Sequence, residues 1–144
     1  MNIVFLDVDG VINSRNKLIE VYKKTGKPHS LYNYPFDELC LNYLKEIIEE
    51  TNSFIVVTST WRKDEEGKKI LLEELDKYGL LNRVIGYTEI LNTTRGFEIK
   101  SYLEKNKNII NFIILDDDTT KSDLDEFLIK INGQTGITSK EKDE

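Results

Sequence analysis

Cysteine and histidine are almost absent from this chain of 144 residues, which holds one of each. A single cysteine, Cys40, excludes an intrachain disulfide and fits a reducing, cytoplasmic setting. One Cys and one His cannot build the usual structural zinc sites. Cys40 is followed six residues on by Glu46 rather than Arg, so the thiol-phosphatase loop is excluded. His29 is the only imidazole open to a Ser-His-Asp mechanism. No apolar run approaches the ~18 residues of a membrane span, so no membrane association is expected. The start Met1-Asn2-Ile3 lacks the basic residues of a secretory signal. Positive charge is also in deficit: Lys plus Arg total 20 against 26 Asp plus Glu, for a net charge of −6. Such a surface does not suit general coating of nucleic acid or anionic membrane.

What is present is one domain's worth of apolar material, 39% of residues. Four apolar runs read as strands: 3–6, 54–57, 84–87 and 112–115. They are continuous rather than alternating, as in strands buried on both faces of a parallel sheet. Helical spacing lies between them at 37–50, 65–78 and 97–106. Asp64 is a candidate N-cap and Gly79 a stop for the second of these. The alternation predicts βαβ units and an α/β fold. A fifth strand is expected at 127–131. The expected domain is 1–138, with a polar tail over 139–144. Residues 14–35 show no clean periodicity and read as an insertion above the first strand.

Three apolar runs end directly on a polar residue: Leu6 on Asp7, Val57 on Thr58, Leu115 on Asp116. Ligands of open parallel sheets bind outside the carboxyl ends of the strands. Asp7, Thr58 and Asp116 are therefore expected at one crevice, with Asp9, Asp117 and Asp118 nearby. Converging carboxylates repel unless a cation neutralises them, and hard oxygen ligands point to Mg2+. The expected metal set is Asp7, Asp9, Asp116 and Asp117. Asp7 is placed to attack phosphorus, and Asp9 to protonate the leaving oxygen and then deprotonate water. Gly10 lets the chain turn out of the strand and contribute to substrate binding. The Thr58 hydroxyl, Ser59 and a cation hold the phosphoryl oxygens. Two of the four arginines, Arg62 and Arg95, follow these strands, and arginine's planar fork suits phosphate, with a salt bridge at a helix entry as the alternative for Arg62.

These residues resemble the haloacid dehalogenase (HAD) superfamily of phosphotransferases. Phe5-Leu6-Asp7-Val8-Asp9-Gly10-Val11 looks like its first motif, Thr58 its second, and Leu115-Asp116-Asp117-Asp118 its fourth. The third motif is a Lys or Arg at a helix start. Arg95 fits it in Arg95-Gly96-Phe97-Glu98-Ile99, with Lys100 as the alternative. Ser59-Thr60-Trp61-Arg62 and Thr135-Gly136-Ile137-Thr138 narrow the likeness to the small HAD domains of RNA-repair proteins, relatives of polynucleotide 3′-phosphatases. The resemblance implies a three-layer HAD-like (Rossmannoid) parallel sheet with a minimal cap and a magnesium-dependent phosphomonoesterase. It leaves the substrate open between a nucleic-acid 3′-phosphate end and a nucleotide or other small metabolite.

Residues 14–35 carry Arg15, Lys17, Lys23, Lys24 and Lys27 against Glu20, with Tyr22, Tyr32 and Tyr34, a mixture that suits phosphates and bases as well as a solvated loop. Trp61 fits either packing or base stacking, and Asp118 fits a helix cap. Other phosphate-handling and metal-binding classes fail on single residues. A calcium loop starting at Asp116 would need glycine at Lys121 and an acid at Phe127. A response-regulator receiver would need Asp where Thr58 stands. No Gly-x-x-x-x-Gly-Lys-Ser/Thr loop exists. A phosphate-binding module without turnover is the remaining rival, and the Asp7/Asp9 pair speaks against it.

Overall fold

Every strand is hydrogen-bonded in parallel to its neighbours, in the order β3-β2-β1-β4-β5. The structure, a computed structural model, describes residues 1–26, 35–63 and 65–138. The strands are β1 (Asn2–Leu6), β2 (Ser53–Val57), β3 (Val84–Tyr87), β4 (Asn111–Asp116) and β5 (Leu128–Lys130). The helices are α1 (Arg15–Thr25), α2 (Glu38–Thr51), α3 (Glu65–Lys77) and α4 (Arg95–Lys105). Short 3-10 turns cover Thr60–Lys63, Leu81–Arg83 and Asp123–Phe127.

The apolar runs are continuous because both faces of the sheet are covered. Val4 and Leu6 of β1 pack with Leu41, Leu44 and Ile48 of α2 and with Leu71 and Leu75 of α3. Ile3 and Phe5, pointing the other way, pack with Ile99 of α4 and with Leu124. A strand's side chains alternate between faces, so one run of four residues feeds two cores. The result is the three-layer α/β arrangement expected from the sequence.

Register places the strand ends at one level. Leu6 is the Cα partner of both Val57 and Leu115. The ladder continues one residue further. Asp7 N–H donates to Leu115 O at 3.0 Å, and Thr58 N–H to Leu6 O at 2.9 Å. Thr88 N–H donates to Val57 O at 3.1 Å, and Ile131 N–H to Asp116 O at 2.8 Å. The residues that follow each run are therefore fixed by backbone bonds.

Two elements differ from the sequence reading. The segment 14–35 contains a regular helix, α1, over half its length. Ser14 caps it by accepting from Lys17 N–H at 3.1 Å, and Gly26 ends it in the left-handed region. None of its residues is buried, so it carries no apolar stripe for periodicity to reveal. Helix α4 begins two residues earlier than the spacing suggested, because Thr94 caps it and accepts from Phe97 N–H. The candidate cap Asp64, residues His29, Tyr32 and Tyr34, and the tail 139–144 lie outside the described residues. Among the described residues, no helix is long and apolar enough to cross a membrane.

Candidate active site

Asp7, just beyond β1, and Asp116, the last residue of β4, stand side by side, and both are buried. Arg95, the first residue of α4, reaches between them. Its Nη1 lies 3.0 Å from Asp7 Oδ1 and 2.7 Å from Asp116 Oδ2. Two small contacts aim it there. Gly96 N–H donates to Thr120 O at 3.1 Å, and a Cβ on Gly96 would sit 2.9 Å from that carbonyl and 2.3 Å from Ser122 Oγ. Only glycine lets α4 start this close to the loop after β4. That loop is held in turn by Asp125, whose Oδ1 accepts from Thr120 N–H at 2.8 Å. Lys100 instead pairs with Asp123 at 2.5 Å.

Asp117 completes an acidic trio. One carboxylate oxygen from each of Asp7, Asp116 and Asp117 lies within 4.8 Å of the others, the one such group that carries the site among the described residues. Burial and then the Asp116 charge push the Asp7 carboxyl well above the ordinary range, and Arg95 offsets this only in part. Burial and Asp116 likewise raise Asp117 to about 6. Burial opposes charge on Arg95, but Asp7 and Asp116 outweigh it and hold the guanidinium above its usual range. One guanidinium does not balance three carboxylates. The trio's hard oxygen donors and its residual repulsion fit a small divalent cation such as Mg2+.

Asp9, expected as a further metal ligand, is held differently. Its Oδ1 accepts from Trp61 Nε1 at 3.0 Å and from Asn13 Nδ2 at 2.9 Å. Asn13 Oδ1 accepts from Gly10 N–H at 2.8 Å, closing a tight turn in which Gly10 has φ +81°. A Cβ on Gly10 would sit 2.3 Å from Asp117 Oδ2. Glycine here admits both the left-handed backbone and the Asp117 carboxylate.

Thr58 is buried, and its hydroxyl has no hydrogen-bond partner. Thr58 follows Val57, the register partner of Leu6, so its unpaired buried hydroxyl sits on the strand end next to that of Asp7, a donor awaiting an acceptor. Ser59 Oγ accepts from Trp61 N–H at 3.2 Å.

Arg62, expected to bind substrate, directs all its N–H groups at protein acceptors. Nε donates to Thr88 O at 2.9 Å, and Nη1 to Thr58 O at 2.6 Å and Ser59 O at 2.8 Å. Nη2 donates to Glu98 Oε1 at 3.0 Å and to Glu89 O at 3.4 Å. Arg62 and Glu98 are 4% and 7% exposed, so this is a buried ion pair. Glu98 Oε2 accepts from Leu91 N–H at 3.0 Å. The guanidinium thus ties the ends of β2 and β3 to α4.

Sequence reasoning missed Asn13, Glu98 and the Trp61 contact with Asp9. The signal for Asn13 was its place four residues after Asp9 at a glycine turn. Carbonyl acceptors such as those around Arg62 leave no mark in a sequence.

The trio and Arg95 line a cavity of about 620 Å³ whose rim includes Lys63, Asn92, Thr93 and Lys121. Its lining joins buried acids to hydroxyls and cations, the composition of a site for a phosphorylated ligand and a metal.

Comparison with curated proteins and with solved structures returns no match. Residues 3–141 match the family described as the HAD domain in Swiss Army Knife RNA repair proteins. That match spans the sheet, the acidic trio, Arg95 and the Thr58 turn, and it points to a HAD-type phosphatase. The chain therefore belongs to the HAD domain family of Swiss Army Knife RNA repair proteins.

Proposed function

We propose that this chain is a magnesium-dependent phosphomonoester hydrolase that works through an aspartyl-phosphate on Asp7, with a nucleic-acid 3′-phosphate end as its substrate. The observation that carries this reading is the meeting of buried Asp7 and Asp116 with half-buried Asp117 and Arg95, at the strand ends where the unpaired Thr58 hydroxyl also lies.

In the first step an Asp7 carboxylate oxygen attacks phosphorus and the bond from phosphorus to the leaving oxygen breaks. Asp9 gives that oxygen its proton. Oδ1 of Asp9 already carries two donors, so the transferring proton belongs on Oδ2. In the second step ionised Asp9 takes a proton from water, the water oxygen attacks phosphorus, and Asp7 leaves as carboxylate. The Thr58 hydroxyl donates to a phosphoryl oxygen and so gains the acceptor it lacks. Arg95 faces the same group and offsets its charge. Asp7, Asp116 and Asp117 would hold Mg2+, which would supply Lewis-acid neutralisation of the carboxylate and phosphoryl charges.

The test is phosphate release from an aryl phosphate with and without Mg2+. Wild type turns over only with the metal, and Asp7→Asn lowers kcat by about a thousandfold or more. Full turnover by Asp7→Asn overturns the nucleophile assignment. A 3′-phosphorylated oligonucleotide compared with nucleoside monophosphates decides the substrate. Preference for the small molecules replaces the end-repair reading with a metabolite phosphatase.

A further inference from the structure

Asp9 does not line the large cavity; it lines a second one. This smaller cavity, about 270 Å³, is walled by Asp9, Gly10, Arg15, Asn132, Gly133 and Gln134. Asp117 belongs to the wall of both cavities. A general acid must touch the oxygen that departs. The part of the substrate beyond that oxygen therefore extends on Asp9's side of Asp117, into the smaller cavity.

The walls there are fixed by backbone bonds. Arg15 N–H donates to Gly133 O and Asn16 N–H to Gln134 O, both at 3.0 Å. The turn at 132–136 is closed by Gly136 N–H to Asn132 O at 2.8 Å and by Gln134 N–H to Asn132 Oδ1 at 2.9 Å. The first turn of α1 and this loop are thus docked on each other with Arg15 at their seam. Arg15 is exposed and is the one basic residue among those lining the cavity. No aromatic or aliphatic side chain lines it among the described residues. Amides, a guanidinium, the carboxylates of Asp9 and Asp117 and glycine backbone do not suit an apolar leaving group; the acids and amides suit hydroxyls, and Arg15 is left as the one group for an anion. They suit a hydroxylated sugar carrying a further anion, which a guanidinium holds through paired N–H groups.

We propose that this cavity is the leaving-group subsite and that Arg15 binds a second phosphate, beyond the one removed. The proposal rests on the phosphomonoesterase reading and names its substrate class: a phosphomonoester whose leaving group bears another phosphate. A phosphodiester in a polynucleotide and a second monoester on a nucleotide share that chemistry.

The experiment measures Mg2+-dependent phosphate release from four substrates by wild type, Arg15→Gln and Arg15→Lys. The substrates are an aryl phosphate, a nucleoside 3′-monophosphate, a nucleoside 3′,5′-bisphosphate and a 3′-phosphorylated dinucleotide. Wild type is expected to favour the two substrates with a second phosphate over the monophosphate by about tenfold in kcat/KM. Arg15→Gln brings the two classes close to parity, mainly through KM, and Arg15→Lys restores part of the gap. Comparing the bisphosphate with the dinucleotide tells which source of the second phosphate fits. An unchanged preference in Arg15→Gln, or an equal loss on all four substrates, overturns the subsite while leaving the phosphatase intact. Release from none of the four by wild type overturns both.

Discussion

Replacing Arg62 with alanine removes a buried cation that serves four carbonyls and one carboxylate. Among the described residues, Glu98 would be left as a 7% exposed charge with Leu91 N–H as its one remaining hydrogen-bond donor. Breaking one side of a buried pair costs about 3–5 kcal/mol, because the surviving charge is uncompensated. The orphaned carbonyls of Thr58, Ser59, Thr88 and Glu89 add to that wherever water fails to replace the guanidinium. A domain's whole stability is about 5–15 kcal/mol, so the variant sits near the edge of folding. The expected fall in melting temperature is roughly 10 °C or more. Because the same guanidinium ties Thr58 and α4 together, kcat should fall with stability while KM changes less. Thermal and urea unfolding of Arg62→Ala, Glu98→Gln and the double variant measure the coupling. The double variant should be less destabilised than the two single losses summed, since it leaves no lone buried charge. A variant that unfolds within about 1 kcal/mol of wild type but shows a tenfold rise in KM refutes the brace and makes Arg62 a substrate ligand.

Three other perturbations probe the site. Asp7 and Asp117 have raised carboxyl affinities for protons, so the metal-free fold holds more protons than the unfolded chain. Their contribution is complete below the ordinary value of 3.8 and is lost as pH rises through about 6 for Asp117. Mg2+ should therefore raise the melting temperature more at pH 8 than at pH 5, and a shift that is flat across that range, read by calorimetry, contradicts this. Gly10→Ala forces a Cβ to 2.3 Å from Asp117 Oδ2 at φ +81°, so Mg2+ affinity measured by titration calorimetry should fall along with about 1 kcal/mol or more of stability. Trp61→Phe deletes the indole donor to Asp9 but keeps a ring against Phe36, 5.3 Å away between centroids. Its kcat should drop about tenfold with KM little changed, as for loss of a hydrogen bond to a charged group; unchanged kcat denies Trp61 a hold on the acid.

The sheet was readable because its strands are covered on both faces. Burial on both sides writes an uninterrupted apolar run, and the polar residue that ends each run marks the mouth of the sheet. Helix α1 was not readable, since it buries nothing and its cap at Ser14 is a local signal without a stripe behind it. The acids could be listed from sequence, but not their division of labour. Asp117 turns toward Asp7 and Asp116, whereas Asp9 is taken up by Trp61 and Asn13. Spacing alone does not distinguish those fates. Arg62 shows the same limit more sharply, since four of its five acceptors are backbone carbonyls.

Strand β1 sits at the centre of the sheet yet comes off the ribosome before either of its neighbours. Its two edges are filled by residues 53–57 and 111–115. A nascent chain therefore carries Asp7 on an open-edged strand until β4, at residues 111–116, has been made. Such distant pairings slow folding and leave apolar edges exposed meanwhile. They also make the acidic cluster an end product: Arg95 can meet Asp116 only once β4 has docked.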